Sequence, residues 1–244
     1  MTENENWSGV VNTIRFDPAN LEGYYEVDYI RFYADEKYKE ELKKLQEQEK
    51  KKEELKKAVD NGGPFYLDNA DAEDLGAELS TLAGTTKLTI VEDDLRKGNH
   101  AYLLTPNKDK QTWSYFVVPT RYKAGITYKV DFDLRLVSDH NGEPVETKVV
   151  VNPRYSEKVD GSIKEGVDHP ENGQPIALSS KDGWVKASVT FTVKEDSPLR
   201  TSDRFTIFAN PLGDASNFKN IVYMVDNFVV SVVEPEESEE KSAE

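Results

Sequence analysis

The residues with the most telling chemistry in this 244-residue chain are three aromatic rings and five planar or charged groups on strand-like segments. Trp113, Tyr115 and Phe208 supply flat apolar faces; Asp133, Arg135, Asn152, Arg154 and Asn210 supply carboxylate, guanidinium and amide groups. A sugar ring asks for both, because its C–H patch packs on an aromatic face while its hydroxyls pair with planar donors and acceptors. The same residues also fit an ordinary antiparallel sheet, whose outward face is polar by default and whose rings mostly fill the core. A sugar-binding face and a structural or adhesive spacer without one are both open on these residues.

Alternation decides which side chains share a face. In residues 128–136, Tyr128, Val130, Phe132, Leu134 and Leu136 form an apolar set, opposite Lys129, Asp131, Asp133 and Arg135. In 185–193 the apolar set is Val185, Ala187, Val189, Phe191 and Val193. Phe205 and Ile207 alternate with Arg204, Thr206, Phe208 and Asn210, and Trp113 and Tyr115 alternate with Ser114 and Phe116. The expectation is one sheet that shows water a polar face carrying a few large rings.

Three regimes must position these groups. Residues 1–34 contain two strand-like runs within 7–34, and an isolated strand pair is marginal in water, so another body has to cover it. Residues 35–62 hold a run of Glu, Lys, Gln and Leu, strong helix formers, closed by Asn61, Gly62, Gly63 and Pro64. The apolar positions Tyr38, Leu42, Leu45, Leu55 and Val59 leave a gap from 46 to 54. That gap argues for a solvated spacer helix over a coiled coil, about 35–40 Å long. Residues 63–233 read as an all-β antiparallel sandwich, with strand-like runs at 101–104, 112–118, 127–137, 147–151, 184–193, 204–209 and 221–233 joined by Gly, Pro, Asn and Asp turns. Residues 234–244 are acidic and read as a tail.

Composition removes several function classes. The chain has 31 basic and 46 acidic residues, a net charge of −15, which argues against phosphate backbones and anionic membrane surfaces as partners. No apolar run approaches the roughly 20 residues of a membrane span, and the polar, acidic segment Thr2 to Asn6 is not expected to belong to a signal peptide. With no cysteine and 3 histidines, disulfides, thiol nucleophiles and histidine-rich metal or triad sites are not expected. Gly-rich phosphate loops, dinucleotide fingerprints, nucleophile elbows and His-Glu-x-x-His are absent from the sequence. Paired carboxylates suited to glycoside cleavage are too easily found among 46 acids to carry information. The expectation is a non-catalytic chain.

Four phrases in order give the sandwich region a family likeness. They are Arg96-Lys97-Gly98-Asn99-His100-Ala101-Tyr102-Leu103-Leu104, Lys123-Ala124-Gly125-Ile126-Thr127-Tyr128-Lys129-Val130-Asp131-Phe132-Asp133-Leu134-Arg135, Trp184 with Phe191 and Val193, and Tyr223-Met224-Val225-Asp226-Asn227-Phe228. With them, residues 64–233 resemble the jelly-roll carbohydrate-binding modules of the family 4, 9, 16 and 22 type. That resemblance implies a jelly-roll fold and non-catalytic binding of a plant or microbial polysaccharide or oligosaccharide. It also implies a secreted or cell-surface modular protein with linked catalytic or surface domains. Trp184 falls where the family uses a structural tryptophan. Asp68, Asp71 and Asp226 fall where relatives hold a structural calcium, and hard oxygen ligands suit that ion. The phrases Trp7-Ser8-Gly9-Val10-Val11-Asn12-Thr13-Ile14-Arg15-Phe16-Asp17-Pro18 and Tyr25-Glu26-Val27-Asp28-Tyr29-Ile30-Arg31-Phe32 resemble the closing strands of another extracellular β-sandwich module. The chain is then expected to be a fragment of a larger protein.

Overall fold

The computed structural model describes residues 36–67, 81–83, 86–106, 115–169, 174–208 and 221–234. The strand pair expected within 7–34, the tail from 235 onward, Asp68, Asp71, Trp113 and Asn210 lie outside the described residues. The chain divides into two compact units, residues 1–42 and 43–244, and the first turns of one helix are the described part of the former.

The Glu- and Lys-rich run forms α1 (Glu36–Asp60). Pairs such as Glu53 with Lys57 at 2.8 Å sit on its solvated surface at the i,i+4 spacing that favours a helix. Leu42 and Leu45 are exposed, whereas Leu55 and Val59 join the core. The described helix is thus solvated over its earlier turns, whereas its last two turns are docked. The helix ends on a paired cap in which the Gly63 N–H donates to the Ala58 carbonyl at 2.8 Å and the Gly62 N–H to the Val59 carbonyl at 3.0 Å. Gly62 takes φ +80°, and a Cβ there would lie 2.9 Å from the Arg121 carbonyl oxygen. Asp60 and Arg121 close the junction with a 3.0 Å ion pair.

Twelve strands follow among the described residues: β1 (Phe65–Tyr66), β2 (Thr81–Ala83), β3 (Thr86–Glu92), β4 (His100–Pro106), β5 (Tyr115–Pro119) and β6 (Thr127–Asp139). Then come β7 (Glu146–Val159), β8 (Ser162–Asp168), β9 (Gln174–Ser179), β10 (Val185–Thr192), β11 (Arg204–Phe208) and β12 (Ile221–Val232). They pair into two six-stranded antiparallel sheets. The first runs β10-β6-β12-β4-β3 with β1 added on β12; the second runs β2-β5-β11-β7-β8 with β9 added on β7. This is the all-β sandwich expected from the sequence.

The core lies between the sheets. From the first come Tyr128, Val130, Phe132, Leu134 and Leu136 of β6, with Val189, Phe191, Tyr223, Val225 and Val230; from the second come Phe116, Val118, Val149, Val151, Tyr155, Phe205 and Ile207. Each such side chain contributes roughly 1.5–3 kcal/mol on burial. Rings interlock across the layers: Phe132 meets Phe205 edge-on at 5.9 Å, and Tyr122 meets Phe191 edge-on at 5.1 Å. The apolar set read from residues 128–136 is buried, and Asp133 of the opposite set is buried with it.

Candidate functional site

The groups singled out by their chemistry do not share one sheet. Asp133 and Arg135 stand on β6 of the first sheet, while Tyr115, Asn152, Arg154 and Phe208 belong to β5, β7 and β11 of the second. The single polar and aromatic face expected from alternation is corrected to two faces on opposite layers. Alternation separates inward from outward along one strand, but the strand order decides which layer a strand joins.

On the second sheet, β11 lies between β5 and β7 and sets three cross-strand rows. Phe208 is opposite Tyr115 and Val150; Thr206 is opposite Val117 and Asn152; Arg204 is opposite Pro119 and Arg154. Successive rows are two residues apart, about 7 Å along the strands. The Thr206 hydroxyl donates to the Asn152 carbonyl at 2.9 Å, and Asn152 Nδ2 donates to Asp168 Oδ1 at 2.9 Å. Asn152 Oδ1 is buried without a hydrogen-bond partner among the described residues. Arg154 Nε lies 2.8 Å from Asp168 Oδ1, and its Nη2 donates to the Gly166 carbonyl at 2.9 Å. The middle row is closed, with Val117, Asn152 and Thr206 only 4%, 5% and 1% exposed. The arginine row is half-buried and reaches water.

On the first sheet, Asp133 and Asp226 are cross-strand partners on β6 and β12. Arg96, from the turn between β3 and β4, bridges them at 2.7 Å and 3.3 Å. Asn99 Nδ2 donates to Asp226 Oδ2 at 2.9 Å, and Asn227 Nδ2 donates to Asp133 Oδ2 at 3.0 Å. Arg135 is committed as well: it donates to buried Asp93 at 3.3 Å and to Asp94. That bond to Arg135 holds the Asp94 carboxyl below its usual range and raises the guanidinium. Trp184 donates its indole N–H to Asp93 at 2.8 Å. Arg96, Asn99, Asp93 and Asn227 were not singled out from the sequence, although three of them lie inside or beside phrases quoted for their apolar residues.

The calcium implied by the family likeness meets the described residues only at Asp226. Asp226 Oδ1 accepts the Asn227 N–H at 2.8 Å, and Oδ2 accepts amide donors together with the Arg96 guanidinium. A guanidinium already supplies the positive charge at this carboxylate, so Asp226 as placed does not fit a cation ligand. Among the described residues no group of three His, Cys, Asp or Glu side chains gathers for a metal.

The sequence matches no family model and no curated protein. Solved structures of similar fold include the C-terminal family 22 carbohydrate binding module of Clostridium thermocellum Xyn10B, 14% identical with a TM-score of 0.48 over 70% of this chain and 94% of that one. A xylan-binding domain of CBM 22 is 13% identical, with a TM-score of 0.46 over 70% and 95% of the two chains. The CBM22-2 xylan-binding domain of Paenibacillus barcinonensis Xyn10C is 13% identical, with a TM-score of 0.43 over 64% and 92%.

Proposed function

We propose that the chain is a non-catalytic polysaccharide-binding module that engages glycan on the outer face of the second sheet. One observation carries this reading. The register sets ring, amide and guanidinium positions in successive rows across β5, β11 and β7: Tyr115 with Phe208, Asn152 with Thr206, and Arg154 with Arg204. A sugar's C–H face would pack at the first row, while its hydroxyls would meet the fixed Arg154 fork at the last. No cleavage step is assigned, because the closely paired carboxylates Asp133 and Asp226 are both bridged by Arg96, leaving neither poised as acid or base. In a secreted or cell-surface protein such a module would raise the local concentration of a linked domain at its substrate.

Affinity electrophoresis against soluble xylan, β-glucan, mannan and pectin tests this. Retardation that is lost in Tyr115→Ala and weakened in Arg154→Ala, with unchanged melting, places the site. Retardation that survives both substitutions overturns the placement.

One observation favours the second reading, a structural or adhesive spacer. The middle row of the face is already closed, with Asn152 and Thr206 almost fully buried. A folded chain that none of the four glycans retards would support it.

A further inference from the structure

The outer face of the first sheet carries an open hollow of about 380 Å³, bordered by Asp131, Asp133, Lys186, Ser188 and Asn227. Two cross-strand rows build it. Ser188 is opposite Asp131, Asp131 opposite Val229, and Val229 opposite Tyr66; one step along, Lys186 is opposite Asp133 and Asp133 opposite Asp226. The first row crosses four strands, so it spans about 14 Å at the ordinary strand spacing. That length suits an extended ligand.

Tyr66 stands at one end of this row, 47% exposed, with its hydroxyl donating to Asn227 Oδ1 at 3.2 Å. Asn227 sits at φ +50° in the bulge of β12, and its amide nitrogen is held by Asp133 and Asp226. The ring is therefore anchored by its polar end and is about half exposed. At the other side, the Lys186 ammonium and the Ser188 hydroxyl have no hydrogen-bond or ion-pair partner among the described residues. Charge is balanced around the hollow: Asp131, Asp133 and Asp226 stand against Lys129, Arg96 and Lys186. Such a surface attracts neither a polyanion nor a cation. It offers an open donor, an open hydroxyl, carboxylate lone pairs and one exposed ring, the complement of an uncharged ligand with many hydroxyls and an apolar edge.

We propose that this hollow is a second saccharide site, on the face opposite the first, which takes a short stretch of neutral glycan. The proposal rests on the glycan-binding reading above and deepens it: two faces of one sandwich would grip two chains, or two stretches of one, and gain avidity.

The test titrates xylohexaose, cellohexaose and mannohexaose into the full chain and follows backbone amide resonances together with calorimetric stoichiometry. At least one hexasaccharide is expected to move the Ser188 and Lys186 resonances, both in the native chain and in a Tyr115→Ala/Phe208→Ala variant. Tyr66→Ala and, separately, Lys186→Ala are expected to weaken that event about tenfold, the scale of one lost ring or strong hydrogen bond. Lys186 supports no other described side chain, so its loss leaves the fold intact. A hexasaccharide that moves only second-sheet resonances overturns the second site and keeps the first. One that moves only Ser188 and Lys186 keeps the hollow and overturns the placement on the second sheet. If none of the three binds, the second site falls, and the first stands or falls by the polysaccharide electrophoresis above, which includes pectin.

Discussion

The Arg96 guanidinium lies over the Trp184 indole, with its central carbon 4.5 Å from the ring centroid. The same guanidinium bridges Asp133 and Asp226, and the indole N–H is held by Asp93. Trp184 is thus covered on one face and clamped at its nitrogen. Arg96 fixes the turn between β3 and β4 to the middle of the first sheet through stacking and charge together.

Removing Arg96 is expected to be costly for that reason. Arg96→Met would leave two carboxylates, whose side chains are 8% and 3% exposed, without a cation, at about 3 kcal/mol. For a domain of this size that lowers the melting temperature by about 10 °C. Arg96→Lys keeps the charge but loses the planar fork and the ring contact, so it should fall between the two. Thermal unfolding followed by tryptophan fluorescence measures both; an Arg96→Met midpoint within 2 °C of the parent chain, about 0.5–1 kcal/mol, would mean that water replaces the bridge.

Docking of the helix end makes a second prediction. Leu55→Ala empties a core position and is expected to cost about 2–4 kcal/mol, whereas Leu45→Ala, at a position 56% exposed, should stay within about 0.5 kcal/mol. Gly62→Ala adds a side chain at positive φ against the Arg121 carbonyl, at about 1–2 kcal/mol. Urea denaturation separates the three. Equal midpoints for Leu55→Ala and Leu45→Ala would show a helix that is solvated along its whole length.

Arg154 allows the binding face to be probed with little disturbance of the fold. Its guanidinium reaches both the Gly166 carbonyl and Asp168, a planar arrangement that lysine cannot copy. Exposed pairs of this kind contribute about 0–1 kcal/mol, so Arg154→Lys should melt close to the parent chain. Its retardation by the bound polysaccharide should nevertheless weaken. Unchanged retardation would take Arg154 out of the proposed site.

The reach of sequence reasoning here followed the strength of alternation. β6 and β10 have a clean apolar face, so their strands and inward residues were legible from residues 128–136 and 185–193 alone. β8 was not, because Ser162 to Asp168 is largely solvent-exposed with no buried face, and an edge strand held by backbone pairing to β7 leaves no pattern to read. β7 extends to Val159 through Pro153 and Arg154, beyond the apolar stretch that first marked it. The candidate site suffered from a different gap. Asp133 and Asn152 both point outward, yet no local pattern says that β6 and β7 join different layers; that is settled by pairings with β12 and β11, far away along the chain.

Asp203 gives a prediction with a definite sign. It is 1% exposed, and its carboxylate accepts the Ser156 N–H at 3.1 Å, the Arg200 N–H at 3.3 Å and the Tyr122 N–H at 3.4 Å. Burial outweighs these donors and pushes its pKa above the ordinary 3.8. A group with a raised folded value contributes stability that is full below its unfolded value and lost as pH rises through the folded one. The parent chain therefore gains from protonating Asp203 between neutral pH and about 4, while Asp203→Asn, neutral throughout, cannot. Carboxylates held low, such as Asp94, keep their contribution down to about pH 4 and lose it only below that, equally in both proteins, so they cancel in the difference. Asparagine also turns an amide toward N–H donors, which costs about 1–3 kcal/mol. The gap in melting temperature between parent and Asp203→Asn should thus widen from pH 7 to pH 4. A gap that narrows on acidification would mean that Asp203 is stabilised as the anion and that the backbone donors outweigh its burial.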